Sequence, residues 1–164
     1  MPAKLITAAE LEGVPGRCDL VRGQLRWMSP AGPSHGGVSA RIIRLLVNHV
    51  DERRLGKVYA NDTGFLLERS PDTVLGPDVA FVQRDRLHLE PERGYFPGPP
   101  DLAVEVRSPG DSRRQVREKA EALIAHGCRL VLTVDPPERT VTVHRPDAAP
   151  RTVGRAACIG RACA

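Results

Sequence analysis

The sequence predicts a mixed α/β (α+β) fold, and two observations carry that prediction. One segment in the first third repeats apolar residues at helical spacing and is followed by a series of short β-rich runs. A strand, a second helix and two more strands then close the pattern, so helices and strands interleave within one stretch of chain. At 164 residues, the chain is long enough for one domain with a core of its own.

Taken in order, "DLVRGQLRWMSP" alternates like a strand ended by Pro30, and "AGPSHGG" is rich enough in turn formers to read as a loop. In "VSARIIRLLVNHVDERRLG", Val38, Ile42, Leu45, Leu46 and Val50 recur with helical spacing, and Gly56 stands where a carboxy-terminal stop belongs. Next come "KVYA", "TGFLLE" and "DVAFVQ", three β-rich runs separated by Pro, Asp and Gly. The loop "RLHLEPERGYFPGPP" carries too much proline for either element. "DLAVEV" reads as a strand, "DSRRQVREKAEALIAHG" as a helix capped by Asp111 or Ser112 and stopped by Gly127, and "RLVLTV" and "TVTVHR" as strands joined around "DPPER". No internal repeat is visible.

Residues 1–146 are therefore expected to form the folded domain. From residue 147 the chain turns small, polar and basic, ending "AAPRTVGRAACIGRACA", and too little apolar surface is available to offset ordering entropy. A poorly ordered tail is the expectation.

Composition narrows the setting. No apolar run approaches the ~20 residues of a membrane span, and "MPAKLITAAE" lacks the apolar segment of a secretory signal, so a cytoplasmic protein is expected. Cys18, Cys128, Cys158 and Cys163 form no metal-like spacing and read as unpaired thiols. A net charge of +4 favours a polyanionic partner only mildly.

Chemistry concentrates around Pro100 to Gly127. With period-two alternation, Asp101, Ala103 and Glu105 share one face of "DLAVEV" and Leu102, Val104 and Val106 the other, so Glu105 lies opposite the larger apolar face. Asp101 reads as a strand-start acid, whereas Asp78 heads "DVAFVQ" after a Gly-Pro break. At ~100° per residue, Lys119 sits one turn from Val116 and Leu123, at the border of the apolar stripe. Alone, it fits a snorkelling lysine with its stem on the core. With two acids from neighbouring strands, it fits a different use: paired carboxylates suit Mg²⁺ or Mn²⁺, and an adjacent lysine orients water or offsets phosphoryl charge. His35, in the glycine-rich loop, reads as solvent-exposed, with a phosphate or water contact as its functional alternative.

The segments "GPDVAFV", "PDLAVEVRSPGDS", the lysine of "REKAEALIAHG" and the hairpin "VDPPERTVTVHRP" resemble the Uma-type restriction endonucleases, a branch of the PD-(D/E)xK nuclease superfamily. The likeness also takes in "DLVRGQLRWMSP" and the loop of His35, covering roughly Ala8 to Pro146. It implies a restriction-endonuclease-like core, a mixed β-sheet flanked by helices. Asp78 and Glu105 would hold Mg²⁺ or Mn²⁺ with the carbonyl of Val106, and Lys119 would be the catalytic lysine, moved from strand to helix. The superfamily's usual lysine position is Arg107 here, which stays protonated and would instead bind a substrate phosphate. Asp19 falls where the family tends to carry an acid and enters as an accessory group. The implied activity is cleavage of DNA phosphodiesters, with a homodimer as the expected assembly because two-fold dimers are the commonest oligomers. A catalytically inactive nuclease-like domain that binds nucleic acid or a protein partner is the alternative.

Overall fold

The computed structural model describes residues 4–60 and 63–154. A short helix α1 (Ala8–Leu11) leads into strands β1 (Cys18–Val21) and β2 (Gln24–Trp27), followed by the long helix α2 (Pro33–Arg53). Strands β3 (Gly56–Ala60), β4 (Phe65–Glu68), β5 (Thr73–Leu75) and β6 (Val79–Gln83) follow. A 3-10 helix (Arg84–Leu89) and the two-residue β7 (Phe96–Pro97) then lead to β8 (Leu102–Val106). Helix α3 (Arg113–Ala125), β9 (Leu130–Asp135), β10 (Thr140–Arg145) and β11 (Ala148–Val153) complete the chain's described elements.

Two mixed sheets result. One has the order β2-β1-β5-β4-β7, the other β11-β10-β9-β8-β6-β3. In the larger sheet β8 and β9 run parallel, joined by α3 as a βαβ crossover, whereas β6 pairs antiparallel with β8. Alternation along β8 divides the core as the sequence predicts. Val104 and Val106 pack with Val79 under Val38, Ile42 and Leu46 of α2, while Ala103 joins Ala120 and Leu123 of α3. The cluster beneath α3 also includes Leu75, with Val21 packed against it, so α3 sits where the two sheets meet.

The run "DLVRGQL" is a hairpin rather than one strand. Arg22 and Gly23 turn with φ 50° and 76°, the doubly positive geometry that joins two-residue hairpins. A Cβ on Gly23 would lie 2.8 Å from Leu5 Cβ, so glycine is required there by space as well as by dihedral.

Helix α2 begins five residues before Val38, which corrects the expected loop. Proline is favoured in the first helical turn, where Pro33 stands, and its missing N–H costs nothing there. The helix ends at Arg54, which adopts the left-handed conformation, and not at Gly56. Gly56 instead opens β3, where a Cβ would collide with the Val82 carbonyl of the neighbouring strand.

Helix α3 starts from Ser112, whose side chain accepts from the Gln115 amide while Gln115 reaches back in a capping box. Asp111 is not the cap; its carboxylate accepts the Ser108 N–H at 3.0 Å. Gly127, at φ 102°, lies just past the helix end as predicted. Asp101 anchors the start of β8 through the Gln83 amide and Arg86.

The expectation of an unstructured tail fails for Ala148–Val153. These residues form an edge strand antiparallel to β10, with Thr142 and Thr152 hydroxyls 2.8 Å apart. Five of the six are exposed, so the strand is held by its backbone ladder and needs little of the apolar surface on which the expectation rested. Residues 155–164, with Cys158 and Cys163, lie outside the described residues. Cys18 and Cys128 are free thiols, as read from the sequence. Among the described residues, no helix is long and apolar enough to cross a membrane.

Candidate active site

Four elements deliver side chains to one buried point. Asp19 comes from β1, Asp78 from the approach to β6, Glu105 from β8 and Lys119 from α3; the three acids are each less than a tenth exposed. Asp78 can meet Glu105 because β6 and β8 are antiparallel neighbours, with Val79 opposite Val104. The Val106 amide then donates to Asp78 Oδ2 at 2.7 Å.

Lys119 is the hub. Its Nζ donates to the Gly76 carbonyl at 2.9 Å and lies 3.1 Å from Asp19 Oδ2 and 3.2 Å from Glu105 Oε1. Asp19 Oδ1 in turn accepts the Gly76 N–H at 2.8 Å. Residue 76 is thus gripped on both sides, and the segment Gly76-Pro77-Asp78 is fixed in place. The lysine side chain is only 16% exposed, which corrects the snorkelling reading: its charge points inward. Burial alone would lower its pKa, but the charges of Glu105, Asp19 and Asp78 outweigh burial and hold it above the ordinary lysine value. It is a cation at neutral pH.

Glu105 is affected in a complementary way. Burial pushes its carboxyl up to about 8 despite the opposing attraction of Lys119, and the charges of Asp78 and Asp19 push the same way as burial. Among the described residues, the Lys119 ammonium at 3.2 Å is the one polar group recorded against its Oε1. A buried carboxylate oxygen left in this condition is suited to a further cation.

His35 is neither in a loop nor exposed. It lies in the first turn of α2, 4% exposed, with Nε2 3.0 Å from Asp78 Oδ2. Gly32, Gly36 and Gly37 with Pro33 resemble a turn more than a helix start, which hides this helical turn in the sequence. Arg107 has a partner within the protein. Its guanidinium is engaged by Asp135 in a two-point fork, Nε to Oδ2 and Nη2 to Oδ1, both 2.9 Å. That pairing holds the Asp135 carboxyl below the usual range and uses Nε and Nη2 of Arg107. Arg113 and Glu138 extend the same cluster.

A profile of the Uma2 family, described as "Putative restriction endonuclease", matches residues 7–156. The chain belongs to the Uma2 family. Its function is accordingly nuclease-like. Among solved structures, the chain is similar to "a putative nuclease belonging to DUF820" from Anabaena variabilis ATCC 29413, with a TM-score of 0.76 and 20% identity over 90% of this chain and 83% of that one. At that identity the likeness speaks for the fold. No curated protein matches.

Uma2 membership raises the question of a metal. Among the described residues, no group of three or more His, Cys, Asp or Glu is arranged to hold an ion alone. Asp78 and Glu105 nonetheless fit a hard divalent cation, since Mg²⁺ is commonly bound by one or two carboxylates with water and other oxygens. Glu105 Oε1, buried with an ammonium as its recorded neighbour, already occupies a setting that suits a cation.

Proposed function

We propose that this Uma2 chain is a metal-dependent endonuclease that hydrolyses DNA phosphodiesters. One observation carries the reading: Asp78, Glu105 and Lys119 converge from three elements, with Glu105 buried beside the Lys119 ammonium. Asp78 and Glu105, with the Val106 carbonyl, would hold Mg²⁺ or Mn²⁺, which supplies Lewis-acid charge at the scissile phosphate.

The chain's own groups do the rest. Lys119, kept protonated by the acids around it, cannot take a proton from water. It donates instead, orienting the attacking water and offsetting phosphoryl charge. Asp19 and the Gly76 carbonyl hold the ammonium in place, so Asp19 is a positioning group for the lysine. Cutting both strands of a duplex takes two copies of the chain or two successive nicks.

The test is cleavage of supercoiled plasmid with Mg²⁺ or Mn²⁺, wild type beside Glu105→Gln. Metal-dependent nicking lost in the variant supports the reading. DNA binding without cleavage by the wild type under either metal overturns it in favour of a non-catalytic nucleic-acid-binding domain.

A further inference from the structure

We infer that His35 is the positioning residue of Asp78, donating from Nε2 to Oδ2 so that Oδ1 is the atom Asp78 offers to a divalent cation. The inference rests on the metal-nuclease reading and assigns a role within that site.

The argument starts from what Oδ2 already carries. It accepts the Val106 amide at 2.7 Å and faces His35 Nε2 at 3.0 Å, both inside the protein. A carboxylate oxygen has two in-plane lone pairs, and two donors use them both. Val106 is a backbone donor and cannot reverse. The His35 side of the pair must then be N–H, because a bare nitrogen lone pair against a carboxylate oxygen is repulsive.

The other ring nitrogen agrees. His35 Nδ1 is buried and without a hydrogen-bond partner, so a neutral ring with its proton there would leave an N–H stranded and Asp78 facing a lone pair. With the proton on Nε2, the one polar contact available to the ring is made. The residue is also costly to keep for packing alone. Its neighbours along the inner face of α2, Val38, Ile42 and Leu46, are apolar and pack on Val79, Val104 and Val106. The buried polar residues on this helix, His35 and Ser39, both lie in its first two turns, and of the two His35 is the one that reaches Asp78. Carboxylates that bind metals are themselves oriented by such partners, and losing the partner costs 10- to 100-fold in affinity.

The test uses the full chain freed of metal, with Mn²⁺ as the probe in isothermal titration. His35→Ala is expected to weaken Mn²⁺ by ~10-fold or more, whereas His35→Gln, which returns an N–H donor at similar reach, stays close to wild type. Equal binding by wild type and His35→Ala, with the fold intact by circular dichroism, overturns the inference and leaves the nuclease reading standing. Equal losses in the Ala and Gln variants overturn it as well, because the effect then comes from packing and not from the donor. Absence of Mn²⁺ binding by the wild type overturns the metal-nuclease reading itself, and this inference with it. Should His35→Ala fail to fold, imidazole ¹⁵N shifts of the wild type decide: a protonated Nε2 supports the assignment, and a proton on Nδ1 alone overturns it.

Discussion

Lys119 Nζ lies 3.2 Å from Glu105 Oε1, yet the pair is not a simple salt bridge, because the same ammonium also holds Asp19 and the Gly76 carbonyl. The lysine is surrounded by more negative charge than it can neutralise, and Glu105 takes up the imbalance.

The pH dependence of stability follows from the burial of Glu105, to which the charges of Asp78 and Asp19 add. Folded Glu105 keeps its proton up to about 8, against 4.5 for an ordinary glutamate, so the folded state binds more protons than the unfolded one between those values. This contribution is complete below the unfolded value and is lost as pH rises through the folded one. Metal-free Glu105→Gln should therefore melt above wild type at pH 8.5, with the gap closing toward pH 4.5. A gap that does not change with pH would mean that Glu105 titrates normally.

Removing the lysine should separate chemistry from metal binding. Lys119→Ala is expected to slow single-turnover cleavage by ~100-fold or more. Its Mn²⁺ affinity should not fall, since the variant lacks the internal cation that competes for Glu105. Titration calorimetry beside plasmid cleavage checks both halves, and wild-type cleavage by the variant would remove Lys119 from the mechanism.

The Arg107–Asp135 fork should appear in stability. Because Asp135 is held below its ordinary pKa by Arg107, its contribution is present above the unfolded value and is lost as pH falls through the folded one. Asp135→Asn should cost about 1–3 kcal/mol at pH 7, as expected for a charge-assisted pair, and much less at pH 3. Thermal melts at the two pH values read the difference.

Strand β11 makes a further prediction. Ending the chain after Asp147 deletes a strand whose Val153 pairs with Val141 and whose Thr152 pairs with Thr142. A loss of ~1–2 kcal/mol, a few degrees in Tm for a domain of this size, is expected by differential scanning. An unchanged melting temperature would show that the edge strand contributes nothing.

Periodicity made the central elements readable. Val38 to Val50 and Gln115 to Ile124 repeat at helical spacing, and the strict alternation of Leu102 to Val106 placed Glu105 on the face that α3 covers. The family likeness named Asp78, Glu105 and Lys119, which the fold brings to one place. What stayed hidden depends on distant parts of the chain. Asp19 and Gly76 are 57 residues apart in sequence, and only the pairing of β1 with β5 brings them together. Arg107 gave no local sign of its fork with Asp135 on the neighbouring strand. His35 was misread for a local reason, since its flanking glycines and proline favour a turn and tertiary packing overrode them.

Asp19 and Glu105 belong to different sheets, so Lys119 works as a staple across the seam between them. Such a staple holds only while the seam stays dry. Above about pH 8, where folded Glu105 is ionised, the ammonium and its carboxylates attract strongly out of water and are barely screened, whereas once wetted they are ordinary solvated ions. Added salt should hence leave the closed seam almost untouched while slowing its closure after an opening. The hairpin of β1 and β2, which carries Asp19, is the part whose departure would admit the water.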